Sequence, residues 1–181
     1  KSQNHFDHKW EIGWIPARID INGLGSTNRP DAKLLLGAYT QRRLRSTGFF
    51  TTARIEYGKG NVPNSRFDVE ILEEFRIALG MKYEFFAHSE KMIRPFWQAN
   101  LIHTQKSIER TTATTRFTSL SQFLIGHEIY AGLSFFTNSR IHFSLRSGVR
   151  LGLGTGSDLE GSMEAIGGSV SLGELRIGIL L

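Results

Sequence analysis

The chain has 181 residues, of which 40% are hydrophobic, a formal net charge of +5 and no cysteine. It lacks the run of about 18–20 apolar residues that a transmembrane helix requires. The absence of cysteine excludes a disulfide scaffold and thiolate metal sites. Its basic residues are scattered along the chain rather than clustered with aromatic residues, so we expect no nucleic-acid partner.

The recurring pattern is a period of two, in which apolar and polar residues alternate as they do in β-strands. It predicts eight strands at residues 9–21, 33–43, 48–58, 67–86, 93–105, 122–136, 139–153 and 169–181. The connections between them alternate in length. The long ones are residues 23–31, 59–65, 106–121 and 154–168, and the short ones are 44–47, 88–92 and 137–139. Such alternation is typical of an antiparallel up-and-down arrangement.

The first predicted strand changes the parity of its alternation in the middle. Trp10, Ile12 and Trp14 share one face, and the apolar positions move to the other parity after Ile15 and Pro16. A β-bulge reconciles the two halves, and proline is tolerated at a bulge. For the second strand, residues 33–43, the pattern does not say which face points inward.

The seventh predicted strand, residues 139–153, separates its faces most clearly. Its sequence is SRIHFSLRSGVRLGL, so Ile141, Phe143 and Leu145 lie opposite Arg146 and Arg150. In the other strands too, the polar face combines small residues with charges of both signs. These charges are Arg54 and Glu56, Glu74 and Arg76, Lys82 and Glu84, Glu128, and Glu174 and Arg176. An eight-stranded barrel has an interior only wide enough for side chains, and charges buried there need partners of opposite sign. We therefore predict that the polar face lines a filled lumen.

The apolar face is expected to contact lipid. The aromatic residues Trp10, Trp14, Tyr57, Tyr83 and Trp97 lie near predicted strand ends, where transmembrane barrels carry aromatic girdles. The alternative is a soluble, lipocalin-like barrel, in which the same aromatic residues would line an apolar ligand-binding interior.

The predicted fold is therefore an all-β, eight-stranded antiparallel up-and-down transmembrane β-barrel, with short turns at one end and long loops at the other. Residues 1–8 are interpreted as an N-terminal tail and residues 9–181 as a single barrel domain. An even number of strands places both termini at the end with the short turns.

Two segments resemble hairpins of the small outer-membrane barrels of the OmpA/OmpX type from Gram-negative bacteria. They are GMKYEFFAHSEKMIRPFWQANLIHTQ and FLIGHEIYAGLSFFTNSRIHFSLRSGVRLGLG. Each has an apolar strand, a short turn and a return strand, and the overall character is similar to that of barrel proteins from the Bacteroidota. The resemblance implies a location in the outer membrane with both termini in the periplasm. The implied partners are outer-membrane lipids, including lipopolysaccharide, and other outer-membrane proteins.

The sequence contains little that indicates catalysis. The six histidines lack metal-ligand spacing, and no cofactor-binding motif is present, so we predict no catalytic, metal or cofactor-binding residues and no cofactor. His142 and Ser144 share the inward face of the seventh strand, and Glu128 or Glu174 could complete a Ser/His/Glu constellation. The favoured interpretation is that these residues are polar fillers of the lumen.

Three functions remain open on these grounds. The favoured one is a non-enzymatic outer-membrane barrel that acts as a structural, adhesion or accessory component of an outer-membrane complex. The second is an outer-membrane lipid-modifying enzyme similar to a lipid A deacylase, and the third is the soluble ligand-binding barrel.

A ring of basic residues at the short-turn end is expected either to be solvated or to meet an acidic partner or headgroups. Its members are Arg42, Arg43, Arg45, Lys91, Arg94 and Arg140.

Overall fold

The computed structural model describes residues 10–22, 35–44, 48–61, 69–87, 91–111, 116–137, 140–158 and 161–181. They form eight strands: β1 (Trp10–Asn22), β2 (Leu35–Arg43), β3 (Phe49–Asn61), β4 (Val69–Glu84), β5 (Ile93–Thr111), β6 (Arg116–Phe136), β7 (Ile141–Asp158) and β8 (Gly161–Leu180). Each strand pairs antiparallel with the next, and β8 pairs with β1, which closes the barrel. Within these ranges we find no helix of the length and apolarity needed to cross a membrane.

The strand pairing confirms the predicted irregularity in β1. The register between β1 and β8 shifts between Trp14 and Ala17, where Pro16 lacks the N–H group that a regular ladder would use. Three further shifts were not predicted. One follows Ile19 on β1, another lies between Ile108 and Glu109 on β5, and the third lies between Arg146 and Gly148 on β7.

The two faces of the strands are separated as the alternation predicts. The charged side chains of the polar face are inside the barrel, where Glu128 and Glu174 are 0% exposed. Large apolar side chains point outward, and Leu79 and Leu101 are each 59% exposed. The described part of the barrel is therefore inside-out relative to a soluble protein, and this contradicts the lipocalin-like alternative with its apolar interior.

Two segments predicted as long loops, residues 106–121 and 154–168, are mostly strand. β5 and β6 stay paired as far as Thr111 and Arg116, and β7 and β8 as far as Asp158 and Gly161. Their Thr, Ser and Gly content favours loops when each segment is read alone. In the barrel, the same backbone is paired with a neighbouring strand, and at residues 106–111 and 154–158 with strands on both sides, so β-structure prevails over local propensity.

The strands differ greatly in length around the barrel. β5 to β8 have 18 to 21 residues, whereas β2 has nine. One membrane crossing needs about 9–11 residues.

The predicted tail (1–8) and the predicted loop at 23–31 lie outside the described residues. The predicted loop at 59–65 is strand up to Asn61 and lies outside the described residues beyond it.

Candidate functional site

The lumen is the candidate functional site, and one of its centres is the carboxylate of Glu174 on β8. Arg146 and Arg176 each place a guanidinium nitrogen 2.7 Å from Glu174 Oε1. Arg18 on β1 reaches the same carboxylate at 3.3 Å and also bonds Glu56 on β3 at 3.2 Å. The buried carboxylate of Glu174 is thus shared by three arginines. Through Arg18 it is also linked to Glu56 on β3, a strand that pairs with neither β1 nor β8.

A second centre is the carboxylate of Glu128 on β6. Arg54 on β3 donates to it from across the lumen, and Arg150 Nη2 lies 2.8 Å from Oε1. Asn100 Nδ2 donates at 3.1 Å and the Tyr130 hydroxyl at 3.2 Å. A buried carboxylate can accept several hydrogen bonds at once, so these contacts offset the cost of removing its charge from water.

Tyr130 lies between the two carboxylate centres. The guanidinium carbon of Arg146 is 3.8 Å from its ring centroid, and those of Arg18 and Arg54 are each 5.8 Å away. Its hydroxyl also accepts a hydrogen bond of 2.9 Å from Arg18. A Cβ atom on Gly148 would overlap the Tyr130 ring. A small residue on β7 therefore makes room for the large side chain that fills the middle of the lumen.

The lumen closes toward the short-turn end around Glu11 on β1. Tyr39 and Gln41 donate hydrogen bonds to its carboxylate, and His142 Nδ1 lies 2.9 Å from it. The His142 ring stacks on Phe136, with centroids 4.8 Å apart and an interplanar angle of 19°. All five side chains are buried, so this end is filled by packed groups rather than open to water.

A neighbouring cluster at the same end places a lysine among aromatic rings. Lys82 Nζ lies 4.5 Å from the ring centroid of Phe96 and 5.5 Å from that of Phe50. It is 3.0 Å from Glu84, whose carboxylate also receives a 3.0 Å hydrogen bond from Arg94. The cations are therefore held by both a carboxylate and ring faces.

The possible Ser/His/Glu constellation is not assembled. His142 pairs with Glu11, while Glu128 and Glu174 are bound by arginines, and His142 Nε2 has no hydrogen-bond partner among the described residues. Ser144 is buried on the same face of β7, and the free ring nitrogen of His142 receives no hydrogen bond from it.

Sequence analysis did not single out Glu11. The signal was available, because Glu11 has the opposite parity to Trp10 and Ile12.

The described residues also contain no group of three His, Cys, Asp or Glu side chains that could hold a metal ion.

The predicted basic ring at the short-turn end is only partly present. Arg42, Lys91 and Arg140 are exposed, but Arg43 and Arg94 are buried in the lumen, because they have the inward parity of their strands. Arg45 lies outside the described residues.

The outer surface carries an apolar belt with aromatic residues toward its edges. Among the predicted girdle residues, Trp10, Trp14, Tyr57 and Trp97 are exposed and Tyr83 is partly exposed. Arg42 lies over the Trp10 ring at 5.0 Å, which places a cation beside an aromatic group at the edge of the belt. Such a belt with aromatic edges is typical of barrels whose outer surface contacts lipid.

The fold and both surfaces define an inside-out β-barrel, the class that crosses a membrane with strands. Among solved structures, the chain is similar to Neisserial surface protein A, with a TM-score of 0.58, 14% identity and coverage of 95% of this chain and 96% of that chain. It is also similar to a major outer membrane protein from Thermus thermophilus, with a TM-score of 0.61, 8% identity and coverage of 96% of this chain and 100% of that chain.

At these identities the likeness concerns the fold alone, and it supports the predicted OmpA/OmpX-type architecture. No family model matches the sequence, and no curated protein matches it significantly. The similarity to barrels from the Bacteroidota stays a prediction.

Proposed function

We propose that this chain is a small outer-membrane protein that acts as a structural, adhesion or accessory component rather than as a pore. The observation that carries the proposal is the filled lumen. Arginine–carboxylate pairs occupy the middle of the lumen. Glu11, Tyr39 and His142, whose ring stacks on Phe136, occupy its short-turn end. With those groups in place, the part of this eight-stranded barrel that the structure describes leaves no continuous water path.

The unequal strand lengths support a role in contacts outside the membrane. β6 has 21 residues, about twice the number that one crossing needs. β4 and β5 pair up to Val69 and Thr111, and β6 to β8 continue the same sheet. A continuous wall of five strands thus extends beyond the apolar belt on one side of the barrel. We propose that this wall faces the cell exterior and contacts lipopolysaccharide or other outer-membrane proteins.

The proposed orientation places both termini in the periplasm. β1 begins and β8 ends at the same end of the barrel as the connections after β2, β4 and β6, and β5 to β8 extend toward the opposite end. In outer-membrane barrels the turns face the periplasm and the longer extensions face outward. The apolar belt is then the lipid-contacting surface.

Two experiments test the location and the orientation. In fractionated cells, the protein is expected in the outer membrane with a gel mobility that changes on heating; a protein that stays soluble without detergent would contradict the proposal. An epitope inserted at residues 112–115 is expected to be accessible on intact cells, and one inserted at 138–139 only after permeabilisation. The opposite labelling pattern would reverse the orientation.

The absence of a pore is tested by planar-bilayer recording of the purified protein. We expect no stable, large conductance. A reproducible open channel in the wild-type protein would contradict the filled lumen as the basis of its function.

A further inference from the structure

The outward face of β6 carries a histidine in the middle of an apolar run. The segment from Phe123 to Leu133 is about as long as one membrane crossing, and every second side chain in it is exposed on the outside of the barrel. These outward residues are Phe123, Ile125, His127, Ile129, Ala131 and Leu133. On the adjoining strands, His127 pairs with Leu101 and Leu151. An imidazole is therefore surrounded by aliphatic side chains within the apolar belt.

A second histidine lies beside it. His103 on β5 also faces outward, pairs with Ile125 and is diagonal to His127 across the β5–β6 ladder. Its ring stacks on Phe123, with centroids 6.5 Å apart and an interplanar angle of 26°. The two histidines, together with Leu101, Ile125 and Leu151, form one outward-facing surface, here named the histidine patch.

The two imidazoles have hydrogen-bonding capacity that the chain itself does not use. Elsewhere on the outer wall, the Thr40 hydroxyl donates a 3.1 Å hydrogen bond to the backbone carbonyl of Glu11. Neither His103 nor His127 makes a hydrogen bond to another described residue. A neutral imidazole has one donor and one acceptor, and hydrocarbon can satisfy neither. The short ring also cannot snorkel to the headgroups as lysine does.

The patch also includes the most exposed part of the apolar belt. Ile125 is 68% exposed and the adjacent Leu153 is 66% exposed, the two highest fractions among the large apolar side chains that the structure describes. Leu101 and Leu151 are exposed as well. Burial against another protein would therefore cover both protruding aliphatic groups and polar groups that lipid cannot satisfy.

Symmetry determines which partner fits this surface. Two copies inserted in the same direction are related by a two-fold axis parallel to the membrane normal, so a residue of one copy meets residues at the same depth in the other. In such a contact the imidazole layer of one copy necessarily meets the imidazole layer of the second. Because each neutral ring can both donate and accept, the two layers are self-complementary. A different protein would need a polar group at the same depth in its own lipid-facing surface.

We propose that the histidine patch is the contact surface of a homodimer in the membrane, in which the two His127 imidazoles hydrogen-bond across the two-fold axis. The proposal rests on the membrane location given under the proposed function. Polar side chains that hydrogen-bond across a protein contact inside a bilayer stabilise that contact, because the alternative is an unsatisfied group in hydrocarbon.

The first test is disulfide cross-linking in the outer membrane of cells that produce the full chain. The chain has no cysteine, so each single-cysteine variant reports on one position. Leu101→Cys and Leu151→Cys flank His127, and Ile12→Cys on β1 is the control, because Ile12 is also exposed on the apolar belt. Under mild oxidation we expect a covalent dimer from a patch position and none from Ile12→Cys. Equal yields at all three positions, a product of another mass, or no dimer at either patch position would overturn the proposal.

The second test measures dimerisation of purified protein in lipid vesicles. Fluorescently labelled copies are counted by single-molecule photobleaching over a range of protein-to-lipid ratios. His127→Leu is expected to weaken the dimer roughly three- to tenfold, as expected for the loss of a hydrogen bond inside a membrane. His127→Gln retains a donor and an acceptor and is expected to restore most of the affinity. Thr40→Val is the matched control, since its hydroxyl is satisfied within the chain, and it is expected to leave dimerisation unchanged.

The gel mobility of unheated samples shows that each variant is folded before it is counted. A folded His127→Leu variant that dimerises as well as the wild-type protein would refute the role of the imidazole. A wild-type protein that is folded in the outer membrane but monomeric in both tests would overturn the homodimer and leave the proposed function standing. A wild-type protein that stays soluble without detergent would overturn both.

Discussion

Replacement of Glu174 by glutamine tests whether the charged network in the lumen holds the barrel together. The substitution keeps the size of the side chain and removes its charge. Arg18, Arg146 and Arg176 would then lose the carboxylate that they share, while remaining buried. The three guanidinium groups would face one another across a space where they now converge on one anion.

The expected cost follows from the burial of these groups. Removing one partner of a buried ion pair destabilises a protein by about 3–5 kcal/mol. Glutamine still accepts a hydrogen bond, so we expect the lower end, about 3 kcal/mol. The matched control is Glu73→Gln, because Glu73 pairs with Lys59 on the outside of the barrel, where their side chains are 33% and 50% exposed. A pair of that kind contributes about 0–1 kcal/mol.

The measurement is the free energy of unfolding in urea, with the folded fraction followed by the gel mobility of unheated samples and by tryptophan fluorescence. Wild-type protein and both variants are compared in the same detergent or lipid. If Glu174→Gln destabilised the barrel no more than Glu73→Gln, the network would be a passive filler, and the reasoning about shared charge would be wrong.

Two further substitutions test the filled lumen and the lipid-facing surface. Tyr130→Phe is expected to cost about 1 kcal/mol because it removes only hydrogen bonds, and Tyr130→Ala about 3–5 kcal/mol because it also leaves a cavity; equal losses in urea unfolding would contradict a packing role for the ring. Leu79→Arg is expected to cost about 2–4 kcal/mol in lipid, whereas Thr155→Arg nearer the outer end of β7 is expected to be close to neutral. Equal effects of the two arginines on unfolding in lipid would argue against an apolar belt in hydrocarbon.

The faces of the strands could be predicted from sequence because side-chain alternation is a local property. In β7, the parity of Ile141, Phe143 and Leu145 is enough to separate them from Arg146 and Arg150, and the structure confirms this separation. The chemistry of the polar face then favoured the lumen over solvent. Charges of both signs beside small residues fit a narrow interior better than a wet surface.

The extent of the outer strands could not be predicted in the same way. Residues 106–111 and 116–121 contain few strongly apolar side chains, so their local signal resembles that of a loop. Their β-structure depends on the ladder between β5 and β6, to which β4 adds pairs for residues 106–111 and β7 adds pairs for Leu120 and Ser121. No local pattern encodes these backbone hydrogen bonds. The same holds for the β7–β8 hairpin beyond Gly154.

The sequence by itself determined which residues share a face, because each residue's side follows from its parity along its own strand, and it favoured an inside-out barrel through the mixed charges of the polar face. Only the tertiary structure decided which charges meet. Arg54 on β3 binds Glu128 on β6, and Glu11 on β1 binds His142 on β7, so both contacts cross the lumen between strands that are not neighbours. Barrel closure and its stagger bring these side chains to the same height, and neither is recorded in the pattern of any single strand.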